Sequence, residues 1–155
     1  MITKVHRKVL ELVVNKLREN RILFQVSGGL AAIAYGAKQP LYDIDIDVHK
    51  KDISKIRRIF KTNIQDDYYH FQDENFDIWL ITLNVHGIDV DISQVEDFFC
   101  IKGKNSKVKI DTYLSKANEV VIEGIRVPVQ SKEELIEYKK ILSREVDLAD
   151  IRQIS

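Results

Sequence analysis

The sequence predicts a layered domain of mixed α and β structure, of the α/β or α+β kind, with antiparallel hairpins in its second half. Three observations predict it. Stretches with apolar residues at helical spacing alternate with stretches of strict two-residue period. A Ser-Gly-Gly turn stands between a strand-like run and a helix-like run. Two tight turns, at His86-Gly87 and Glu123-Gly124, separate runs that alternate like paired strands.

Residues 4–19 place Val5, Val9, Leu12, Val13 and Leu17 at helical spacing with charged residues between them, which predicts an amphipathic helix. Ile22 to Val26 is a short apolar run, read as a buried strand, and it ends at Ser27-Gly28-Gly29. The small apolar segment LAAIAY reads as a tightly packed helix that stops near Gly36, and Pro40 breaks the chain again. Tyr42 to Val48 alternates as a strand. Residues 52–61 read as a helix capped by Asp52. Residues 76–84 and 88–93 read as strands joined by the first hairpin turn, and VVIEGIRVPV as the second hairpin. Ser131-Lys132-Glu133-Glu134 has capping-box spacing at the start of a helix, and a last helix is expected from about Glu145 to Ile154. No repeat, low-complexity stretch or linker interrupts the order, so we expect one domain over residues 1–155, with a core at about 20–130 and C-terminal helices at about 131–154.

Composition narrows the function classes. The chain has 155 residues, 45% of them hydrophobic, which suits one solid core. No apolar run approaches the roughly 20 residues of a membrane span. Charges interrupt the N-terminal segment MITKVHRKVLELVV every few positions, unlike a signal peptide. The single cysteine, Cys100, excludes an internal disulfide framework, and the expected compartment is the cytoplasm. With 24 basic and 24 acidic residues there is no strong nucleic-acid signal. The basic run from Lys50 to Lys61 reads as a solvated helix face.

The chemical signal is Asp43-Ile44-Asp45-Ile46-Asp47. In a strand, residues two apart share a face, so Ile44 and Ile46 point one way and the three aspartates the other, about 7 Å from one to the next. Such a column repels itself, and aspartate is a poor strand former. A hard cation over the column gives it a physical purpose, since Mg²⁺ takes oxygen ligands and shares them with phosphates. Ile88-Asp89-Val90-Asp91-Ile92 repeats the pattern and offers a third carboxylate if the two strands are neighbours. Taken alone, both segments equally suit sheet edges kept soluble by acids. The glycines shift the balance. Gly28-Gly29 lets the backbone approach a ligand closely, and the helix start behind it offers free N–H groups to a phosphate. Asp43 follows fifteen positions after Gly28, room for one short helix and a return strand, so cradle and carboxylates would face one cleft.

Ser27-Gly28-Gly29-Leu30-Ala31, Tyr35-Gly36 and Asp43-Ile44-Asp45-Ile46 together resemble the nucleotidyltransferase superfamily of the polymerase-beta type. The similarity is to its minimal stand-alone branch, with aminoglycoside and lincosamide nucleotidyltransferase relatives. The segment from Val127-Pro128-Val129 through Lys132-Glu133-Glu134-Leu135 and Lys139-Lys140 to Arg144, Asp147 and Asp150 is similar to the tail of such proteins, so the likeness spans about residues 20–152. It implies a mixed sheet with flanking helices. It implies a nucleoside triphosphate substrate lined by Ser27, Gly28 and Gly29, and two Mg²⁺ (or Mn²⁺) ions on Asp43 and Asp45. Asp91 would be the third carboxylate, metal ligand and activator of a hydroxyl acceptor, with Asp89 the alternative and Asp47 auxiliary or on the surface. Gln39 and Leu41, flanking Pro40, stand where members of the branch often carry an Arg and a Thr; Lys38 is the adjacent cation that would substitute.

The implied activity is transfer of a nucleoside monophosphate from a triphosphate to a hydroxyl. The alternative is a weak or inactive descendant of the fold that binds a nucleotide or a protein as a regulator, as in toxin–antitoxin pairs. The larger members' helical domain has no counterpart here, so a homodimer or a partner protein is expected to complete the site, with FDIWLITLNV and the N-terminal helix as the surfaces for it. His49, His70 and His86 lack metal-ligand spacing, Cys100 and Trp79 read as core, and Tyr68-Tyr69 is a lesser candidate for stacking a base. Lys139, Lys140 and Arg144 read first as a solvated helix face, with Lys139 and Arg144 the ones to meet phosphate if that helix borders the cleft.

Overall fold

A computed structural model describes residues 2–103 and 106–155. The chain opens with helix α1 (Lys4–Glu19), capped by Thr3, whose hydroxyl accepts from the His6 N–H. Strand β1 (Phe24–Ser27) runs into helix α2 (Gly28–Ala34). Gly36, at φ +115°, ends that turn of chain, and β2 (Ile44–Val48) returns beside β1. Helix α3 (Ile53–Ile59) follows, and Asp52 precedes it without making the side-chain cap that the sequence led us to expect. The middle of the chain is sheet: β3 (Ile64–Gln72), β4 (Phe76–Val85), β5 (Ile88–Gln94), β6 (Phe99–Lys102) and β7 (Ser106–Lys109). The hairpin β8 (Asn118–Ile122) and β9 (Ile125–Val129) leads to α4 (Lys132–Leu142) and α5 (Glu145–Ile154). Both predicted hairpin turns are present, with His86, Gly87, Glu123 and Gly124 all at positive φ, as two-residue turns of this hand require.

The described strands form one mixed sheet in the order β7-β6-β4-β5-β2-β1-β9-β8, with β3 on the other edge of β4. Pairing is parallel between β2 and β5 and between β1 and β9, and antiparallel elsewhere. One face is aliphatic. Val26, Ile44, Ile46, Val48, Ile81, Leu83, Val90 and Ile92 are all at most 1% exposed and meet the inner side of α1. That side consists of His6, Val9, Leu10, Val13, Val14 and Leu17. Val5 and Leu12, which also fit a helical period, are exposed instead, so the helix sits rotated from the stripe read in the sequence. Burial of Leu10 and Val14 on the sheet selects that rotation.

The two surfaces expected to drive association are used within the chain. The apolar side of α1 is consumed by the sheet. The FDIWLITLNV strand is flanked on both edges, and only Asn84 within it is exposed. Trp79 stacks on His70 and Tyr68 of β3, with centroids 4.6 and 5.3 Å away. Beneath them Asp77 accepts from His70 Nε2 (2.6 Å) and Gln72 Nε2 (2.9 Å) and pairs with Lys107 Nζ (2.9 Å), contacts that hold its carboxyl far below the usual range, the His70 bond foremost. Cys100 is fully buried and burial pushes its thiol up to about 12, so it is an apolar filler.

Ile46 lies at the centre of this core with no exposed surface. Ile46→Ala is expected to cost about 2–5 kcal/mol by the cavity it leaves, measured as a loss in denaturant midpoint at unchanged slope.

Candidate functional site

Register sets the site. Ser27 pairs with Asp45, Asp45 with Asp91, and Asp91 with Thr82, so these four residues form one row across β1, β2, β5 and β4 on the face opposite the aliphatic core. The next row is Gln25, Asp47, Ser93 and Leu80, with Tyr69 of β3 beyond it. Asp43 precedes β2 by one residue and is exposed. Ser27, Gly28, Gly29, Asp43, Asp45, Asp47 and Asp91 all line one cleft of about 380 Å³. The strand-face argument and the adjacency of the two aspartate strands therefore describe the folded chain.

The two candidates for a third carboxylate differ in position. Asp91 lies directly beside Asp45 and lines the cleft; Asp89 lies one pair further out, accepts from Asn84 Nδ2 (3.1 Å) and does not line it. Lys38 is exposed, its backbone N–H bonded to Gln153 Oε1, and it too is absent from the lining. Leu41 is buried, with its side chain against Gly29. Asp47 is not a surface acid. It is buried and accepts from Gln25 Nε2 (2.8 Å) and Ser27 Oγ (3.0 Å), which ties β1 to β2. The Ser27 hydroxyl is thereby committed to Asp47, which leaves backbone N–H groups as the polar offer of the glycine turn.

The carboxylates differ in how they are satisfied. Burial pushes Asp47 up to about 6 against its two hydrogen bonds. Asp91 is raised by burial and held back by Thr82, whose Oγ1 donates at 2.7 Å and is itself 3.0 Å from the Tyr69 hydroxyl. Asp43 is raised by burial and by Asp89. Asp45 receives no hydrogen bond from any described residue. Burial first, then the charges of Asp91, Asp47 and Asp43, push it up to about 8, with Lys139 opposing. Its carboxylate packs against Gly28, where a Cβ would lie 2.2 Å from Oδ2. Gly28 also has φ +60°, so this position requires glycine twice over.

Helices α4 and α5 close the far side of the cleft with charges that the sequence reading left on a solvated face. Lys139 is 3% exposed, and its Nζ pairs with Asp147 Oδ1 (3.2 Å) and Asp150 Oδ2 (3.0 Å). Arg144 reaches Asp147 through Nε (2.7 Å). Burial would raise Asp147, but Arg144 and Lys139 hold it low. Lys139, Arg144 and Asp150 line the cleft, whereas Lys140 is exposed. The signal in the sequence was the buried spacing of Leu135, Lys139 and Leu142 along one helix face. Of the expected capping box only half forms: Ser131 Oγ accepts from the Glu134 N–H, while the Glu134 carboxylate turns to the Tyr113 N–H.

Do these residues fit a divalent cation? Among the described residues no three of His, Cys, Asp and Glu are gathered into a cage for a metal ion. Mg²⁺ rarely asks for one, since it takes one or two carboxylates and completes its shell with water and substrate phosphates. Asp45 and Asp91 supply that pair of hard oxygen donors, and Asp45 has no donor of its own. Gln130 Oε1 and Asp150 Oδ1, both of cleft-lining residues, are also buried acceptors without a partner among the described residues. The donor set fits an ion shared with a ligand.

No protein-family model matches this sequence, and no curated protein matches it significantly. Solved structures do match by fold. A candidate nucleotidyltransferase from Thermotoga maritima superposes with a TM-score of 0.76 at 23% identity, over 98% of this chain and 93% of that one. The antibiotic-resistance factor ANT(2'')-Ia matches in its complex with adenylyl-2''-tobramycin, with a TM-score of 0.65 at 15% identity over 95% and 86% of the two chains. Its solution structure matches at 0.63 and 14%, over 95% and 80%. The fold is nucleotidyltransferase-like: a mixed sheet with flanking helices.

Two predictions follow from the geometry. Asp45 keeps its proton longer in the folded chain than in the unfolded one. Its contribution to stability is therefore complete below about pH 4 and is lost as pH rises to about 8, Asp47 adding to the loss up to about 6. Metal-free protein should melt at falling temperature over that window, and Asp45→Asn should flatten the fall and raise the melting temperature at pH 8 by on the order of a few degrees. Gly28→Ala combines a strained φ with the clash on Asp45 Oδ2 and should cost about 1–3 kcal/mol by denaturant titration.

Proposed function

We propose that this protein transfers a nucleoside monophosphate from a nucleoside triphosphate to a hydroxyl acceptor, with two Mg²⁺ (or Mn²⁺) ions. The observation that carries the reading is the pairing of Asp45 with Asp91, in register and beside the Gly28-Gly29 turn, in one cleft. The nucleotidyltransferase fold neighbours support it, and ANT(2'')-Ia was solved with an adenylylated aminoglycoside.

In this reading the backbone N–H groups at Gly28 and Gly29, which line the cleft, hold the triphosphate. Asp43, Asp45 and Asp91 hold the ions, which when bound would neutralise the triphosphate and lower the cost of charge at the reacting phosphorus. Asp91 orients the acceptor and takes its proton, while Thr82 fixes the rotamer of that carboxylate through Oδ1. The acceptor oxygen bonds to the α-phosphorus as the bond to pyrophosphate breaks. Lys139, not Lys38, is the cation on the cleft wall, and the opposing charge it sets against Asp45 belongs to the same site. A regulator that binds nucleotide without turnover is the second reading; it is favoured by Lys139 being already paired with two aspartates.

The test is a Mg²⁺-dependent titration with each of the four triphosphates, followed by transfer of a label from the α-phosphate to a panel of hydroxyl compounds. Metal-dependent binding with transfer is the expected result, and binding without transfer selects the regulator. Asp45→Asn and Asp91→Asn should each lower transfer at least roughly 100-fold, as loss of a preorganised charge at the reacting centre does. Asp89→Asn should stay within about twofold, because Asp89 lies off the cleft.

A further inference from the structure

The cleft has two chemically distinct halves, and only one is used by the reading above. Beyond Asp91 the wall changes to hydrocarbon: Phe71, Phe76, Ile78, Leu80, Phe98 and Ile110 line it. Phe76 and Phe98 meet edge to face at 6.4 Å. Arg144 lines the cleft here too, its guanidinium 5.5 Å from the Phe76 ring centre.

We propose that this apolar half holds the body of the hydroxyl acceptor, and that the acceptor is an uncharged molecule built on an aromatic or aliphatic ring system. The inference rests on the transferase reading and deepens it. In phosphoryl transfer the attacking and leaving oxygens lie roughly in line across the phosphorus. The glycine turn that would take the departing pyrophosphate is at β1, and the strands then run β2, β5, β4, β3. The nucleophile therefore enters from the Asp91 side. On that side the Asp91 row continues through Thr82 to Asp66 of β3, which lies outside the cleft lining, while Leu80 and Ile78 of β4 and Phe71 of β3 line the cleft in the rows next to it, with the Thr82–Tyr69 hydroxyl pair at the boundary. A polyamine entering there finds Asp66 and Asp89 at the edge, but no carboxylate among the described lining residues of β3 and β4, and the Arg144 guanidinium over Phe76 is already paired with Asp147. Desolvating its several charges with no lining carboxylate to pair them would oppose binding. An uncharged ring fills the same wall favourably and leaves its hydroxyl at the polar boundary.

The probe is 2-naphthol, an aryl alcohol, followed by fluorescence anisotropy on the full chain with and without saturating Mg²⁺ and the α,β-methylene analogues of the four triphosphates. Saturable binding that persists, or tightens, in the presence of the analogue is expected, with no competition from spermine. Phe71→Ser and Val146→Glu, the latter at a partly exposed lining residue that tolerates charge, should each weaken naphthol roughly tenfold. Competitive displacement of naphthol by the analogue would assign the apolar half to the nucleobase and overturn the proposal. Preferential binding of spermine, or no saturable naphthol binding in wild type, would also overturn it. If naphthol bound while none of the four analogues did, the transferase reading would fall and the acceptor role with it, whereas displacement removes the acceptor role alone.

Discussion

Strand β2 has two faces that cannot share a solvent. Its alternation sends Ile44, Ile46 and Val48 to one side and Asp43, Asp45 and Asp47 to the other, with no residue free to serve both. The aliphatic side fixes the register, because a slip of one residue would bury three carboxylates under α1 and expose three β-branched side chains. Once that face is seated, the parallel partner β5 must put Val90 and Ile92 down and Asp91 up, and Asp45 and Asp91 become neighbours. The acid row is thus a consequence of packing on the opposite face. The rest of the molecule accommodates it.

The accommodation is unequal from one acid to the next. Asp47 is satisfied internally by Gln25 and Ser27, and Asp77 by His70, Lys107 and Gln72. Asp147 has Arg144 and Lys139. Each of these is a carboxylate whose partners are built into the chain, as buried charges require. Asp45 is left without a donor, and it is the residue against which a glycine with positive φ is packed. Lys139 pairs with Asp147 and Asp150 rather than with Asp45.

The C-terminal helices have a double part in this. They bury Leu135 and Ile154 in the common core, and they carry Lys139, Arg144 and Asp150 to the cleft wall. Two short helices therefore enclose a cleft that the open sheet face would leave to solvent. Of the two surfaces that first suggested self-association, the FDIWLITLNV strand is flanked on both edges, and α1 buries one side on the sheet while Val5 and Leu12 stay exposed.

By itself the sequence determined what depends on local period and local backbone chemistry. The strand alternation at Asp43–Asp47 and Ile88–Ile92, the hairpin turns at Gly87 and Gly124, the glycine break before α2 and the extents of α1 and α5 were all legible, because each is set by neighbours within a few positions. Strand β3 was not: two register irregularities break its alternation, and as a strand paired only with β4 it carries Gln65, Asp66 and Asp67 outward. The tertiary structure alone decided what depends on which elements meet. It rotated α1 so that Leu10 and Val14 replaced Val5 and Leu12 inside, set Asp91 rather than Asp89 beside Asp45 by the β2–β5 register, left Lys38 outside the cleft and folded Lys139 into it. A cation four positions from a leucine looks the same in sequence whether its helix faces water or a cleft. Only the packing of that helix on α2, β6 and α5, where Asp147 and Asp150 meet Lys139, distinguishes the two.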